Sequence, residues 1–198
     1  MAFLRMAEAR QAAQSSTIPL RKSAGQVLRE EADAFRSTST FDVFLSHSYR
    51  DAELILGVKK IMESQGLKVY VDWVDDQGLA RDQVSHQTAK ILRLRMRASL
   101  SLVYAHSANS SNSKWMPWEL GYFDGFKPGF LWILPIVANY DSEFEYQEYL
   151  GLYPTLEKIA DLYGSLNLGI LNVGVGSGMQ KRDIPLKEAK GIGISFVS

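Results

Sequence analysis

The chain has 198 residues, enough for one domain with appendages, and 46% of them are hydrophobic, as a packed core requires. Lys and Arg number 22 and so do Asp and Glu, so no bulk charge points to nucleic acid or to an acidic surface. Cysteine is absent, which excludes disulfides, thiol nucleophiles and cysteine-ligated metal and fits a reducing compartment.

Residues 1–39 are rich in Ala, Arg, Glu, Ser and Gln and poor in large apolar side chains. Arg5, Glu8 and Arg10 stand where a secretory signal needs an unbroken apolar core. SAGQVLREEADAFR (23–36) forms one amphipathic helix with Val27, Leu28 and Phe35 as its sparse apolar contacts, and STST (37–40) reads as a linker. The segment is either a mobile arm or an added helix, with oligomerisation or partner docking as the sharper alternative.

From Phe41 the pattern changes. FDVFLS (41–46) is a short apolar strand, and Ser48-x-x-Asp51 resembles a capping box with Asp in place of Glu. Leu54, Val58 and Ile61 repeat at helical spacing, and Gly66 sits where a helix C-cap wants a left-handed residue. LKVYVDW (67–73) is a strand, 74–85 has loop chemistry, HQTAKILRLRMRA (86–98) is helical and SLSLVYA (99–105) is a third strand. HSANSSNS (106–113) forms turns, SKWMPWELGYFDG (113–125) is the next helix and FLWILPIV (130–137) a fourth strand. That run is the longest strongly apolar one and is far too short to span a bilayer. YPTLEKIADLYGSL (153–166) reads as helix and LGILNVGV (168–175) as strand. The expectation is a cytoplasmic protein with no membrane contact.

Strand and helix alternate, and strands apolar at nearly every position want cover on both faces. That predicts an α/β fold, a parallel sheet with helices on both sides. Ligands in such folds lie beyond the carboxyl ends of the strands. Those ends lead into Ser46-His47-Ser48, into Trp73 and its loop, and into 106–113.

Two tryptophans, a tyrosine and a phenylalanine crowd one acid, Glu119, in the helix at 113–125. Pro117 is tolerated only in a first turn, which places the helix start at Ser113 to Met116. Trp115 and Glu119 then share a face. The helix dipole favours the carboxylate, whereas an aromatic pocket raises its pKa. Glu119 is either a solvated surface acid or a carboxylate at a site for a flat, sugar-bearing ligand.

Weaker constellations carry less. His47, His86 and His106 lack metal-ligand spacing, so no metal is expected. GVGSG (174–178) lacks the Lys-Ser/Thr of a P-loop and reads as a loop. Lys90, Arg93, Arg95 and Arg97 form a basic patch, read as a solvated helix face with phosphate steering or subunit contact as the alternative. Balanced charge puts nucleic acid last.

The order FDVFLSHS, amphipathic helix, GLKVYVDW, polar loop, strand and Trp-x-x-x-Glu helix resembles a TIR (Toll/interleukin-1 receptor) domain over residues 40–160. The resemblance implies a flavodoxin-like parallel sheet, preceded by a helical arm and linker at 1–39 and followed by an extension at 161–198 that completes or packs on it. Trp115-x-x-x-Glu119 matches the family's NAD-cleaving members. It implies Glu119 as the catalytic glutamate, with Ser46, His47, Ser48, Trp73 and Trp115 bordering the substrate. The loop after the second strand gates the site and contacts a neighbouring subunit in the family; here it has Gly78 but lacks the usual Pro-Gly. NAD is then the substrate and no cofactor is implied; nicotinamide leaves as a neutral pyridine, so no dedicated general acid is required. A fixed carboxylate hydrogen-bonds the ribose as oxocarbenium charge develops. Water capture yields ADP-ribose and internal capture a cyclic product. A short chain of this kind is similar to bacterial TIR proteins of antiviral defence, including those of Thoeris systems. It implies homo-oligomers through TIR–TIR contacts and a nucleotide product sensed by a separate effector. A non-catalytic TIR adaptor and a related nucleoside-sugar hydrolase or transferase are the alternatives.

Overall fold

The apolar runs at 41–46, 99–106 and 131–137 become the centre of a parallel sheet, because both of their faces must be covered. A computed structural model describes residues 2–34, 39–72, 86–139, 147–160, 166–175 and 180–189. In chain order these form β1 (Leu4–Arg5), α1 (Met6–Leu20), α2 (Ala24–Asp33), β2 (Phe41–Ser46), α3 (Ala52–Ser64), β3 (Val69–Val71) and α4 (His86–Arg97). Then follow β4 (Ser99–His106), α5 (Trp115–Phe126), β5 (Leu131–Val137), β6 (Glu157–Ala160), β7 (Leu166–Val175), β8 (Gln180–Pro185) and α6 (Leu186–Ala189).

The main sheet runs β1-β5-β4-β2-β3 with every pairing parallel. Counted from β2, the strands stand in the order 4-3-1-2, the flavodoxin-like arrangement. The outer position beside β5, where that arrangement has a fifth strand, is taken by β1 from the start of the chain, with Leu4 opposite Ile136. The first half of the same edge is met by Thr155, bridged to Ile133.

Alternate strand residues point to opposite faces, and two cores result. Val43, Leu45, Val103, Ala105, Trp132 and Leu134 pack on one face against α1, α3 and the C-terminal elements. Phe44, Leu102, Tyr104, Leu131 and Ile133 pack on the other against Leu92 and Met96 of α4 and Met116, Leu120 and Phe123 of α5. On the first face, β6, β7 and β8 make a small antiparallel sheet.

Gly66 ends α3 at φ 77°, as its position predicts. The Gly66 and Leu67 N–H groups donate to Glu63 O (2.9 Å) and Met62 O (3.3 Å), a Schellman pair with Leu67 and Met62 both buried. The described residues of the helix expected at 153–166, 153–160 and 166, are not helical. Residues 157–160 are strand β6, paired antiparallel with β7, and the Lys158 N–H donates to Ala2 O at 2.8 Å. Sheet partners on both sides outweigh the local helical spacing of Leu156 and Ile159. The expected loop at 74–85 lies outside the described residues. Among the described residues no helix is long and apolar enough to cross a membrane.

Candidate active site

Pro117 is the third residue of α5, where its missing N–H has no helical partner to lose. The Met116 N–H donates instead to Ser113 Oγ at 3.3 Å. This start fixes which aromatic points where. Met116, Leu120 and Phe123 enter the core. Trp118 and Tyr122, one turn apart, stack at 5.7 Å, and the Arg93 guanidinium lies over both rings at 5.2 and 5.7 Å. Arg97 Nε donates to the Tyr122 hydroxyl at 2.8 Å. Arg93 and Arg97 of the exposed basic patch thus brace α5, and Arg95 covers Phe41 and Tyr70.

Glu119 is 6% exposed. Its Oε2 accepts a hydrogen bond from Ser46 Oγ at 2.6 Å. The β2–β4 register explains the pairing: Ser46 lies opposite Tyr104, so both side chains stand on the face that α5 covers. Burial, then Tyr149 and the Glu119 carboxylate, push the Tyr104 phenol well above its usual range, so it stays a neutral O–H. The acid thus has Ser46 below it, a buried phenol beside it and the positive end of α5 behind it. Tyr153, from the same segment as Tyr149, donates to Asp124 Oδ2 at 3.1 Å. Burial and Asp124 push its phenol up to about 12.

A cavity of about 330 Å³ opens at the carboxyl ends of β2 and β4, lined by Ser48, Tyr49, Arg50, Asn112, Ser113, Lys114 and Trp115. Glu119 is not in that lining; it lies one turn deeper along α5 than Trp115. Trp115 is half-buried and meets Trp118 edge-on at 5.3 Å. Of the residues expected to border the substrate, Ser48 and Trp115 line the cavity, while Ser46 lies beneath Glu119. His47 is buried and its Nδ1–H donates to Leu45 O at 2.9 Å, turning the ring back along its own strand. Trp73 lies outside the described residues. His106 is half-buried and stacks near Tyr104, and burial lowers its pKa. No group of three or more metal-capable side chains converges among the described residues.

Asp51 does something the capping-box spacing did not indicate. Neither Ser48 nor Asp51 makes a side-chain cap. Asp51 is buried, and its carboxylate accepts hydrogen bonds from Ser107 Oγ and, at 2.7 Å, from Asn109 Nδ2. Ser110 Oγ in turn accepts from the Ser107 N–H at 2.8 Å. This knot ties the turn after β2 to the turn after β4, the two walls of the cavity. The signal for it was the polar run at 106–113 opposite an acid at the end of the neighbouring strand.

No protein-family model matches the chain. It is 48% identical over 138 residues, 69% of its length and 71% of the relative's, to a Bacillus cereus (strain MSX-D12) protein named "Probable 3' cyclic ADP-D-ribose synthase ThsB'". It is 34% identical over 95 residues to TIR2 of Cytobacillus dafuensis, whose name also gives cyclic ADP-D-ribose synthesis. That match covers 48% of this chain but only 25% of the relative. With the strand order, the Trp-x-x-x-Glu helix and this level of identity, the chain belongs to the bacterial TIR-domain family of the Thoeris type.

Proposed function

We propose that the protein breaks the nicotinamide–ribose bond of NAD and closes the remaining ADP-ribose into a cyclic product. The observation that carries this reading is the buried Glu119 carboxylate, held by Ser46 at 2.6 Å at the ligand end of the sheet. Its likeness to relatives named for cyclic ADP-D-ribose synthesis supports the same reaction.

The C–N bond breaks with its electron pair leaving on neutral nicotinamide, and oxocarbenium charge appears on the ribose. Glu119 binds the ribose hydroxyls more strongly as that charge grows. A hydroxyl of the adenosine ribose then attacks the same carbon, and its proton passes to the Glu119 carboxylate. By likeness to the Bacillus relative that hydroxyl is the 3′ one. Trp115 offers a flat face to the nicotinamide, and Arg50 and Lys114 set two cations on the cavity wall for the dinucleotide's diphosphate. NAD is a substrate here, and no resident cofactor takes part. The cyclic product is a signal for a separate effector in antiviral defence, and the protein works as a homo-oligomer.

Nicotinamide release from NAD by wild type and Glu119→Gln tests the reaction. Release by the wild type and a loss of at least about 100-fold in the variant are expected. No release by either protein, in the presence of cell extract from infected hosts, leaves the adaptor reading in its place. Equal release by both removes Glu119 from the chemistry. Mass spectrometry and comparison with isomer standards then identify the product.

A further inference from the structure

A second cavity lies away from the Glu119 end. About 410 Å³ opens at the opposite, amino-terminal edge of the main sheet, lined by Thr40, Phe41, Asp42, Lys68, Arg97, Ala98, Ser99, Leu100 and Lys127. Three cations reach it from three separate places: Lys68 just before β3, Arg97 at the end of α4 and Lys127 just past α5.

Asp42 is the one acid in this lining, and its Oδ2 accepts the Lys68 backbone N–H at 2.7 Å. None of the three cations is ion-paired to a described carboxylate. Lys68 Nζ lies over the Phe41 ring at 5.1 Å, Arg97 Nε is on the Tyr122 hydroxyl, and Lys127 Nζ donates to Ser99 O at 3.0 Å. All of these are neutral partners. Burial alone lowers the Lys127 pKa, the mark of an ammonium with no anion beside it.

Arg97 and Lys127 also complement the negative ends of α4 and α5. That role needs no shared cavity, and it does not account for Lys68, which precedes a strand. A single carboxylate would be matched by one of these cations. Three of them, one with a planar fork, suit a multiply charged anion.

We propose that this cavity is a second, non-catalytic site for a diphosphate group, with Lys68, Arg97 and Lys127 as its ligands. It lies across the sheet from Glu119, and the proposal does not rest on NAD being the substrate. A free pyrophosphate and the diphosphate of a nucleotide share the chemistry, and ADP-ribose tested beside pyrophosphate distinguishes them.

The test titrates inorganic pyrophosphate into the full chain at constant ionic strength, followed by calorimetry and by backbone amide shifts. Saturable binding is expected, with amide shifts at Thr40–Asp42 and Ser99–Leu100. The Kd should rise about ten-fold or more in Lys68→Gln/Lys127→Gln and hold in Glu119→Gln and in Arg50→Gln. Tighter binding of ADP-ribose at the same amides makes a nucleotide the ligand; equal or weaker binding makes it free pyrophosphate. No saturable binding, binding unchanged in the double variant, or binding lost in Arg50→Gln overturns the proposal. If the double variant does not fold, the wild-type amide map decides: shifts confined to Ser48–Arg50 and Asn112–Trp115 overturn it.

Discussion

In the proposed reaction Glu119 works from the position in which the Ser46 hydroxyl holds it. Ser46→Ala leaves the carboxylate in place but removes the 2.6 Å bond that orients it. A hydrogen bond to a charged group is worth about 1.5–3 kcal/mol. We therefore expect kcat for nicotinamide release to fall roughly 10- to 100-fold with KM little changed, and Ser46→Thr, which keeps a hydroxyl, to recover part of it. Asp51→Ala should instead act on stability. It strands Ser107 and Asn109 without their acceptor and should cost about 1–3 kcal/mol in denaturant unfolding. Glu119 was legible in the sequence because Pro117 and the spacing from Trp115 locate it on a helix by local rules. Ser46 was legible only as a neighbour of the site. Its bond to Glu119 depends on the parallel register that sets Ser46 opposite Tyr104, and no local pattern carries that. The α4 cations were read as a solvated face, and Lys90, Arg93 and Arg97 are exposed; the sequence did not show that Arg93 and Arg97 also lie on Trp118 and Tyr122 of the next helix.

The helices that precede β2 are welded to α3. Gly57 of α3 meets α1 so closely that a Cβ there would lie 1.7 Å from Ala9 O. Gly57→Ala must push α1 away and should cost about 1–3 kcal/mol, read as a lower thermal midpoint. Between α2 and α3, Lys59, 3% exposed, is paired with Glu31 and Glu63, and Lys60 reaches both acids at 2.8 and 2.9 Å. Burial pushes the Glu31 carboxyl up, but the bonds from Lys59 and Lys60 outweigh it and hold the pKa below 4.5. Glu8, bonded to Arg5 and Lys158, is lowered against its own burial in the same way. A depressed carboxylate binds fewer protons folded than unfolded. Its stabilisation is therefore complete above pH 4.5 and is lost as the pH falls through the lower, folded value. Urea unfolding followed from about pH 6 to pH 3 should show that loss, with a shallower slope in Glu31→Gln. Elements whose signal is local, such as the Gly66 cap and the apolar strands, were readable in advance. Residues 157–160 were not, because their strand state comes from β7 on one side and from Ala2, remote in sequence, on the other.

The whole molecule is a sheet whose outer edge is closed by pieces remote in sequence. β1 and Thr155 together cover β5, and the Ala2 N–H donates to Glu157 Oε2 at 2.7 Å. Removing residues 1–20 should bare the β5 edge and the α3 face at once. The truncated chain is expected to show a lower thermal midpoint and concentration-dependent association in light scattering. The parallel pairing of the central strands follows from alternating strands and helices, and their flavodoxin-like order was implied by the resemblance to TIR domains. The source of the outermost strand does not, since two residues of β-structure leave almost no pattern.

That closure also sets a timetable. Leu4 and Arg5 are translated before the other described strands, yet their partners in β5 are made only after Glu119 and the rest of α5. The first described strand therefore waits, without its β5 partner, through the synthesis of α5. Its contacts are long in sequence, and folding of such topologies is slow. Glu119 is thus translated before the sheet that seats it can be completed.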